Sequence, residues 1–378
     1  MKYDIRVSTT LGDTYRANRV RSLFNVDPGQ AAEHRVTVDL PHEAKPWRVG
    51  AIIGPSGTGK TTLGRRILGE AAYLNGYTWA PDRAIVDEMG EGQPFDDVTA
   101  ALSSVGLGSV PSWLRPYQVL SGGERFRADL ARTLLDATGD MVLDEFTSVV
   151  DRQVAQIGAA AFAKAWRRKP SGRVIALACH YDIVDWLQPD WLLDTSDWSF
   201  HWRSVQRPPR FDVDIYQTTW AAWPAFEVHH YLKLARMVAA YNYVGYVGDV
   251  PVAHVAVSTL SGMKAARLCR LVVMPEWQGA GVGMRFLETV AEMWLAGENP
   301  YSKRMTGILH TSHPGLIAAC RRSPKWVICS TQMGGADRVA SKRSLRKSAA
   351  KRGNYNGGGG YGGHDRAVMG LRYVGDRT

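Results

Sequence analysis

The chain has 378 residues, 45% of them apolar, which is long enough for two domains and apolar enough to build real cores. The net charge is +10, and residues 321–378 alone carry 13 Lys/Arg against 3 Asp/Glu. The whole excess therefore sits at one end of a neutral body, the pattern expected for a polyanionic partner such as nucleic acid. No secretory leader and no apolar run near the ~20 residues of a membrane helix are found. The four cysteines (Cys179, Cys269, Cys320, Cys329) form no C-x-x-C pair. The expectation is a cytoplasmic chain with no membrane partner, not a zinc ribbon or a disulfide scaffold.

In chain order, residues 1–48 mix short strands, Arg35–Leu40 being the clearest, with polar loops; they are expected to form an edge sheet beside a nucleotide base. Val49–Ile53 is a short apolar run that reads as a buried strand. It leads into Gly54, Pro55, Ser56, Gly57, Thr58, Gly59, Lys60, Thr61 and Thr62, which fit G-x-x-x-x-G-K-[ST] and continue into a helix. Strand, loop and helix together make a phosphate cradle: backbone N–H groups and the helix N-terminus face phosphate oxygens. Lys60 would reach the β/γ-phosphates and Thr61 would ligate Mg²⁺. Next, Arg83–Glu88 reads as a strand ending in acids, and Val98–Val105 as an amphipathic helix. Leu120-Ser-Gly-Gly-Glu124 then runs into a helix over Phe126–Leu135. Met141–Phe146 is a strand carrying Asp144, placed for the metal shell, and Glu145, placed to polarise a water. A further strand, Arg173–Ala178, ends at His180.

The order of these motifs, over roughly residues 10–205, resembles the ATP-binding cassette (ABC) ATPases. The resemblance implies ATP and Mg²⁺ as cofactors, a signature motif formed by Ser121, Gly122, Gly123 and Glu124, and a D-loop over Ser148–Asp151. It implies Thr61 and Asp144 as metal ligands, Glu145 as general base and His180 as the switch histidine. It also implies an ATP-dependent homodimer, in which Ser121 of one copy faces the γ-phosphate held by the other. Two features depart from the family. Only 61 residues separate Lys60 from Ser121, shortening the helical region that docks on membrane partners in transporters, and Asp87 and Glu88 stand where a glutamine is expected.

A boundary is expected at Trp202–Arg210, where adjacent prolines and basic residues break the pattern. Beyond it, Ala240–Val257 reads as a hairpin turning at Gly248-Asp249, Ala266–Val273 as a strand and Met284–Leu295 as a helix. Between strand and helix lies a second glycine-rich loop, without a lysine. The run R-L-V-V-x-P-x-x-Q-G-x-G-V-G resembles motif A of the GNAT acyltransferases over about residues 211–332. That resemblance implies a pyrophosphate cradle for acetyl-CoA or another acyl donor at Gln278, Gly279, Ala280, Gly281, Val282 and Gly283, with pantetheine running along Leu271–Val273.

Many GNAT enzymes place a tyrosine on the next helix to protonate the departing thiolate, and this chain has none there. Ser312 and His313, at the following strand–helix junction, are candidates; His313 reads equally well as a helix cap. His230 and Tyr231 form another candidate pair, with a core or surface role as the alternative. The combination is similar to the Mom-type branch of the family, found in phage, which modifies adenine in DNA to resist restriction; a bacterial or phage-infected cytosol is then the expected setting. The basic run over 337–352 and the glycine tract over 353–363 suit nucleic acid, DNA before RNA.

The expected organisation is α/β: a P-loop ABC ATPase domain over 1–205, a linker at 206–210, a GNAT-fold α+β domain over 211–335 and a basic, Gly-rich tail over 336–378. The function expected is ATP-dependent modification of nucleic acid. The alternatives are CoA-dependent N-acetylation of tRNA, protein or a small molecule, and service as the ATPase subunit of a transporter.

Overall fold

Val49–Ile53 is apolar throughout, and the strand it forms, β3, is buried at every position. The computed structural model describes residues 1–9, 13–24, 32–203, 209, 211–230, 237, 239–260, 265–334 and 366–376. The fold is mixed α/β with several sheets, and strands and helices are numbered here in chain order. Two compact units emerge: one joins residues 1–79 to 132–209, the other joins 80–131 to 210–378. The chain thus leaves the first unit, returns to it, and passes into the second for good after residue 209.

In the first unit β1 (Lys2–Thr9) and β2 (Ala32–Asp39) form an antiparallel ribbon, with α1 (Tyr15–Phe24) between them in sequence. The larger sheet has six strands, in the order β4 (Tyr73–Leu74), β5 (Met141–Leu143), β6 (Val174–Ala178), β3, β7 (Trp191–Asp194) and β8 (Ser199–Trp202). Every pair is parallel except β7–β8. Parallel strands buried on both faces read as unbroken apolar runs, as β3 and β6 do. The core gathers Trp47, Ile52, Leu63, Val142, Leu177 and Trp191, each large side chain worth about 1.5–3 kcal/mol on burial. Trp191 lies so close over β3 that a Cβ at Gly50 would sit 2.3 Å from its ring, so only glycine fits. Helix α2 (Lys60–Leu68) follows the phosphate loop, α6 (Arg152–Trp166) follows the acidic turn, and α7 (Val184–Leu187) precedes β7.

The second unit begins with a helical arm: α3 (Phe95–Ser104), α4 (Val110–Trp113) and the first turns of α5 (Gly122–Asp136). The strand expected over Arg83–Glu88 is absent. Ile85–Asp87 is a 3₁₀ turn, and Ala84 makes only a single bridge to Pro116. The apolar run there is three residues long, and the Glu88 carboxylate accepts from Ala80 N at 2.8 Å, closing the segment on itself.

The remainder of this unit is a seven-stranded sheet in the order β14 (Trp326–Gly334), β15 (Arg366–Tyr373), β13 (Thr306–Thr311), β12 (Ala265–Val273), β11 (Val250–Thr259), β10 (Tyr241–Val247) and β9 (Asp214–Thr218). The hairpin β10–β11 turns at Gly248-Asp249, with Gly248 at φ 58. Only β12 and β13 run parallel, joined through α9 (Val282–Ala296). Phe286, Leu287, Val290 and Trp294 of α9 pack with Leu268, Leu309, Leu371 and Tyr373 of the sheet. Helix α8 (Trp223–Glu227) supplies Trp223 and Phe226 to a second cluster with Val244 and Val272, and α10 (Pro314–Arg322) leads into β14.

The tail expected over 336–378 needs correction at its far end. Arg366–Tyr373 is not a tail but β15, inserted between β13 and β14, with Leu371 and Tyr373 each 1% exposed. Met369, Leu371 and Tyr373 recur at the strand period, a signal masked by the charge count around it. The basic run and the glycine tract lie outside the described residues.

Among the described residues no helix is long and apolar enough to cross a membrane.

Candidate functional site

Because β3, β6 and β5 are adjacent and parallel, their C-terminal ends meet at one sheet edge, the place where open parallel sheets bind ligands. The phosphate loop follows β3, His180 follows β6, and Asp144-Glu145 follows β5. The loop is shaped by glycines in the left-handed region, Gly57 at φ 82 and Gly59 at φ 92, the latter capping α2. Lys60 is buried and donates from Nζ to Gly54 O (2.8 Å) and Pro55 O (2.7 Å). Thr61 Oγ1 donates to Asp144 Oδ2 at 2.9 Å, joining residues 83 positions apart. Space above the loop is open at Gly57, where an added Cβ would meet nothing within 4 Å.

These residues fit Mg-ATP. An open amide-lined loop, an ammonium held at its centre and two protein oxygens suit a cation that keeps waters and phosphate oxygens as its other ligands.

The acidic turn is held under strain. Glu145 (φ 50) and Thr147 (φ 69) both occupy the left-handed region, at about 1–3 kcal/mol each. The surroundings fix them. Phe146 N donates to Leu177 O (2.8 Å), Ser148 N and Oγ both donate to Glu145 O, and Arg152 donates to Thr147 O (3.1 Å). Glu145 is left exposed, its backbone N–H bonded to Asp144 Oδ1 at 2.9 Å. Asp151 caps α6 by accepting from Gln153 N.

Two participants escaped the sequence reading. The Tyr73 hydroxyl donates to Asp144 Oδ2 at 2.6 Å; burial, and then this bond, push the phenol's pKa up. Thr195 Oγ1 lies 2.7 Å from Thr58 Oγ1 and donates to Ile53 O, walling the loop so tightly that a Cβ at Gly54 would fall 2.2 Å from it. Neither belongs to a recognisable motif, and only the parallel strand order brings them in.

In the second unit, Ser121 and Glu124 form a capping box at the start of α5. Glu124 Oε2 accepts from Ser121 N (2.9 Å) and Ser121 Oγ accepts from Glu124 N (3.3 Å). Burial would raise the Glu124 carboxyl, but hydrogen bonds from Ser112 and Ser121 outweigh it and draw the pKa down. Ser121 and Gly122 are exposed.

The second glycine-rich loop also caps a helix. Gly279 (φ 94) and Gly281 (φ 83) are exposed and Gly281 is the N-cap of α9, with nothing within 4 Å of an added Cβ. Gln278 is pinned: its Nε2 donates to Val273 O and its Oε1 accepts from Gly108 N, both at 2.9 Å. Beside this loop the parallel pairing of β12 with β13 stops at Leu268–Leu309, although β12 runs on to Val273. The two strands part there, leaving a fork at the N-terminus of α9. Backbone amides at a helix N-terminus suit the diphosphate of an acyl-CoA.

Of the sequence candidates near this fork, Ser312 and His313 do lie at the β13–α10 junction. His313 is committed to structure: Nδ1 accepts from Leu316 N (3.3 Å), Nε2 pairs with Gly108 O (2.9 Å), and burial lowers the ring's pKa. His230 is buried against Trp223, ring centroids 5.6 Å apart, while Tyr231 lies outside the described residues. His254 is fully buried beneath Trp223 and Phe226, and burial pushes its pKa down to about 4. Its Nδ1 lies 3.1 Å from Arg270 O and its Nε2 3.1 Å from Asn242 Oδ1.

Sequence reasoning also missed His310, exposed on β13 one position beyond the last parallel pair. Partial desolvation and then the Arg267 charge lower its pKa. A Cβ on Gly370 would lie 3.3 Å from His310 Nε2, 3.4 Å from Cys329 Sγ and 2.2 Å from Ser330 Oγ, so this glycine leaves one small space shared by all three.

No protein-family model matches the chain. Among solved structures it is similar to a bacterial Atm1-family ABC exporter with ATP bound, at 18% identity and a TM-score of 0.32. The match covers 42% of this chain and 33% of the exporter chain, so this chain spans about a third of that protein's length.

Proposed function

We propose that the chain is an ATP-driven, nucleic-acid-directed transferase: an ABC-type ATPase joined to a GNAT-like acyltransferase unit. The observation that carries the ATPase reading is the convergence of Lys60, Thr61, Asp144 and Glu145 at one edge of a parallel sheet, with Thr61 already bonded to Asp144. Mg-ATP supplies the cleavable γ-phosphate. Lys60 would exchange its two loop carbonyls for phosphate oxygens, Thr61 and Asp144 would hold the metal, and the strained turn would aim Glu145 at the attacking water, with His180, at the end of β6, as the switch histidine. In a homodimer, Ser121 of a second copy closes the site.

Support for the transferase is the fork between β12 and β13 beside a lysine-free amide loop. A bound acyl-CoA supplies an activated carbonyl. His310, whose pKa burial and the Arg267 charge lower, would take the proton that the acceptor nitrogen loses as the C–N bond forms. It returns that proton to the departing thiolate as the C–S bond breaks. Arg267 and Arg372 are exposed on the same face of the sheet as His310, which favours a polyanionic acceptor. The transporter reading loses ground because the helical arm over 80–131 packs in the same unit as residues 210–378.

The test is mass spectrometry of nucleosides from DNA and RNA of cells expressing the chain. A mass-shifted adenine in DNA, absent with His310→Ala, is the expected result and would fit Mom-like modification. Unmodified nucleosides alongside an acetylated protein or small molecule would overturn the nucleic-acid reading in favour of ordinary N-acetylation.

A further inference from the structure

Arg127 lies six positions beyond Ser121 on α5 and is 3% exposed. Its guanidinium donates to Gly106 O (2.9 Å), to Pro275 O and to Glu276 O (3.4 Å), while its Nε has no partner among the described residues. Burial pushes its pKa down to about 10. A buried cation hydrogen-bonded only to carbonyls, with the nearby Glu276 and Glu124 charges outweighed by its burial and one donor unsatisfied, is a poor stabiliser compared with an apolar residue of similar volume. What it accomplishes is geometric: it holds two chain segments about 170 positions apart in sequence through a rigid planar fork of donors.

Those segments are the arm loop at Gly106 and the turn that enters the Gly279–Gly283 loop. Further ties fix the same junction. Gly108 N donates to Gln278 Oε1, and Gly108 O meets His313 Nε2. Gly106 approaches so closely that a Cβ there would sit 2.2 Å from Gln278 O. A single helix thus carries the signature serine at its N-cap and the clamp on the second glycine-rich loop less than two turns later, about 9 Å along its axis.

We infer that Arg127 is a positioning residue that sets the donor loop's geometry from the signature helix, so that nucleotide bound against Ser121 changes the loop's affinity for acyl-CoA. The inference rests on the nucleotide and donor assignments proposed above. A rotation or shift of α5 on nucleotide engagement moves the carbonyls of Pro275 and Glu276, and with them the amides of residues 279–283. Reciprocity then requires that donor binding change nucleotide affinity by the same factor.

The test uses the full chain and titrates CoA by calorimetry, with and without Mg²⁺ and a non-hydrolysable ATP analogue. In the unmodified protein the CoA dissociation constant should shift by about fivefold or more with nucleotide. Arg127→Met should bind CoA but lose the shift, and Arg127→Lys, which keeps the cation without the fork, should recover part of it. A purely structural role would weaken CoA binding equally with and without nucleotide. A nucleotide-independent CoA affinity in the unmodified protein overturns the inference while leaving the transferase reading intact, and it does so even if Arg127→Met fails to fold. An equal shift in Arg127→Met also overturns it. Absence of any CoA binding overturns both.

Discussion

The two glycine-rich loops share a plan: a strand enters, glycines in the left-handed region turn the chain, and a helix begins. They differ in what fills them. The loop over residues 54–62 supplies its own charge in the buried Lys60 and its own metal-ready oxygens in Thr61 and Asp144, and it is walled by Thr195. The loop over residues 278–283 has backbone alone, its one long polar side chain, Gln278, being spent on holding Val273 and Gly108. A loop whose phosphates must be cleaved needs charge stabilisation that grows in the transition state. A loop that only anchors a diphosphate needs amides and no more. Under the proposed function the first loop would carry chemistry and the second only grip, with the transfer chemistry at the fork.

The sharpest break of this comparison is Glu145→Gln. Phosphate release should fall by about 10²–10⁴-fold, while ATP still binds and drives dimer formation in sedimentation. A monomer in the presence of ATP would sink the two-copy arrangement. Next in size is Gly281→Glu, which places a carboxylate at the α9 N-cap. It should weaken CoA binding by about 10²–10³-fold through like-charge repulsion without touching ATP turnover measured in the absence of CoA. Gly281→Ala should cost only the backbone term of the left-handed position, about 1–2 kcal/mol in stability, because space around it is open. Equal effects of the two substitutions would mean that the loop holds no anion.

A third contrast concerns acid. His254 is held near 4 by burial, against about 6.5 when unfolded. Below pH 6.5 the unfolded chain takes up a proton that the folded second unit refuses. Stability is therefore complete above that pH and is lost as pH falls toward 4, by about 3 kcal/mol in all. Urea unfolding of His254→Leu should show a correspondingly flatter pH dependence between 7 and 4.5. The smallest expected effect is on charge. Changing Lys342, Arg343, Arg346 and Lys347 to Gln should lower the salt dependence of duplex-DNA binding by up to about 0.9 in log–log slope per lost phosphate contact. An unchanged slope would leave the basic run with no part in binding.

How much of this was legible in the sequence depended on whether the signal was local. The phosphate loop, the acids after β5, the hairpin at Gly248-Asp249 and the glycine-capped start of α9 all announce themselves within about ten residues, because a turn type or a period is written there. Tyr73, Thr195 and His310 do not. Each is an ordinary residue made relevant by strand order, which no window of sequence encodes. The Arg83–Glu88 strand failed for a related reason: a strand needs a partner edge as well as apolar residues, and that segment satisfied its backbone through Glu88 instead. β15 was hidden by composition, since its three-residue core signal sits beyond a long basic and glycine-rich stretch. Arg127 reads as one more charge on a surface helix until its carbonyl partners are seen.

The pairing of Gly334 with Arg366 at the ends of β14 and β15 has a polymer-physics consequence. The basic and glycine-rich residues between them are tethered at both ends to neighbouring strands and do not trail from one. A segment spanning 335–365 and held at both ends can reach at most half its contour, about 50 Å from that anchor, whereas a tail of the same length could sweep twice as far. Deleting past residue 366 removes a strand from the middle of the sheet. The reach of the basic run and the integrity of the fold are thus set by separate stretches of chain, and evolution or an experimenter can tune the first without disturbing the second.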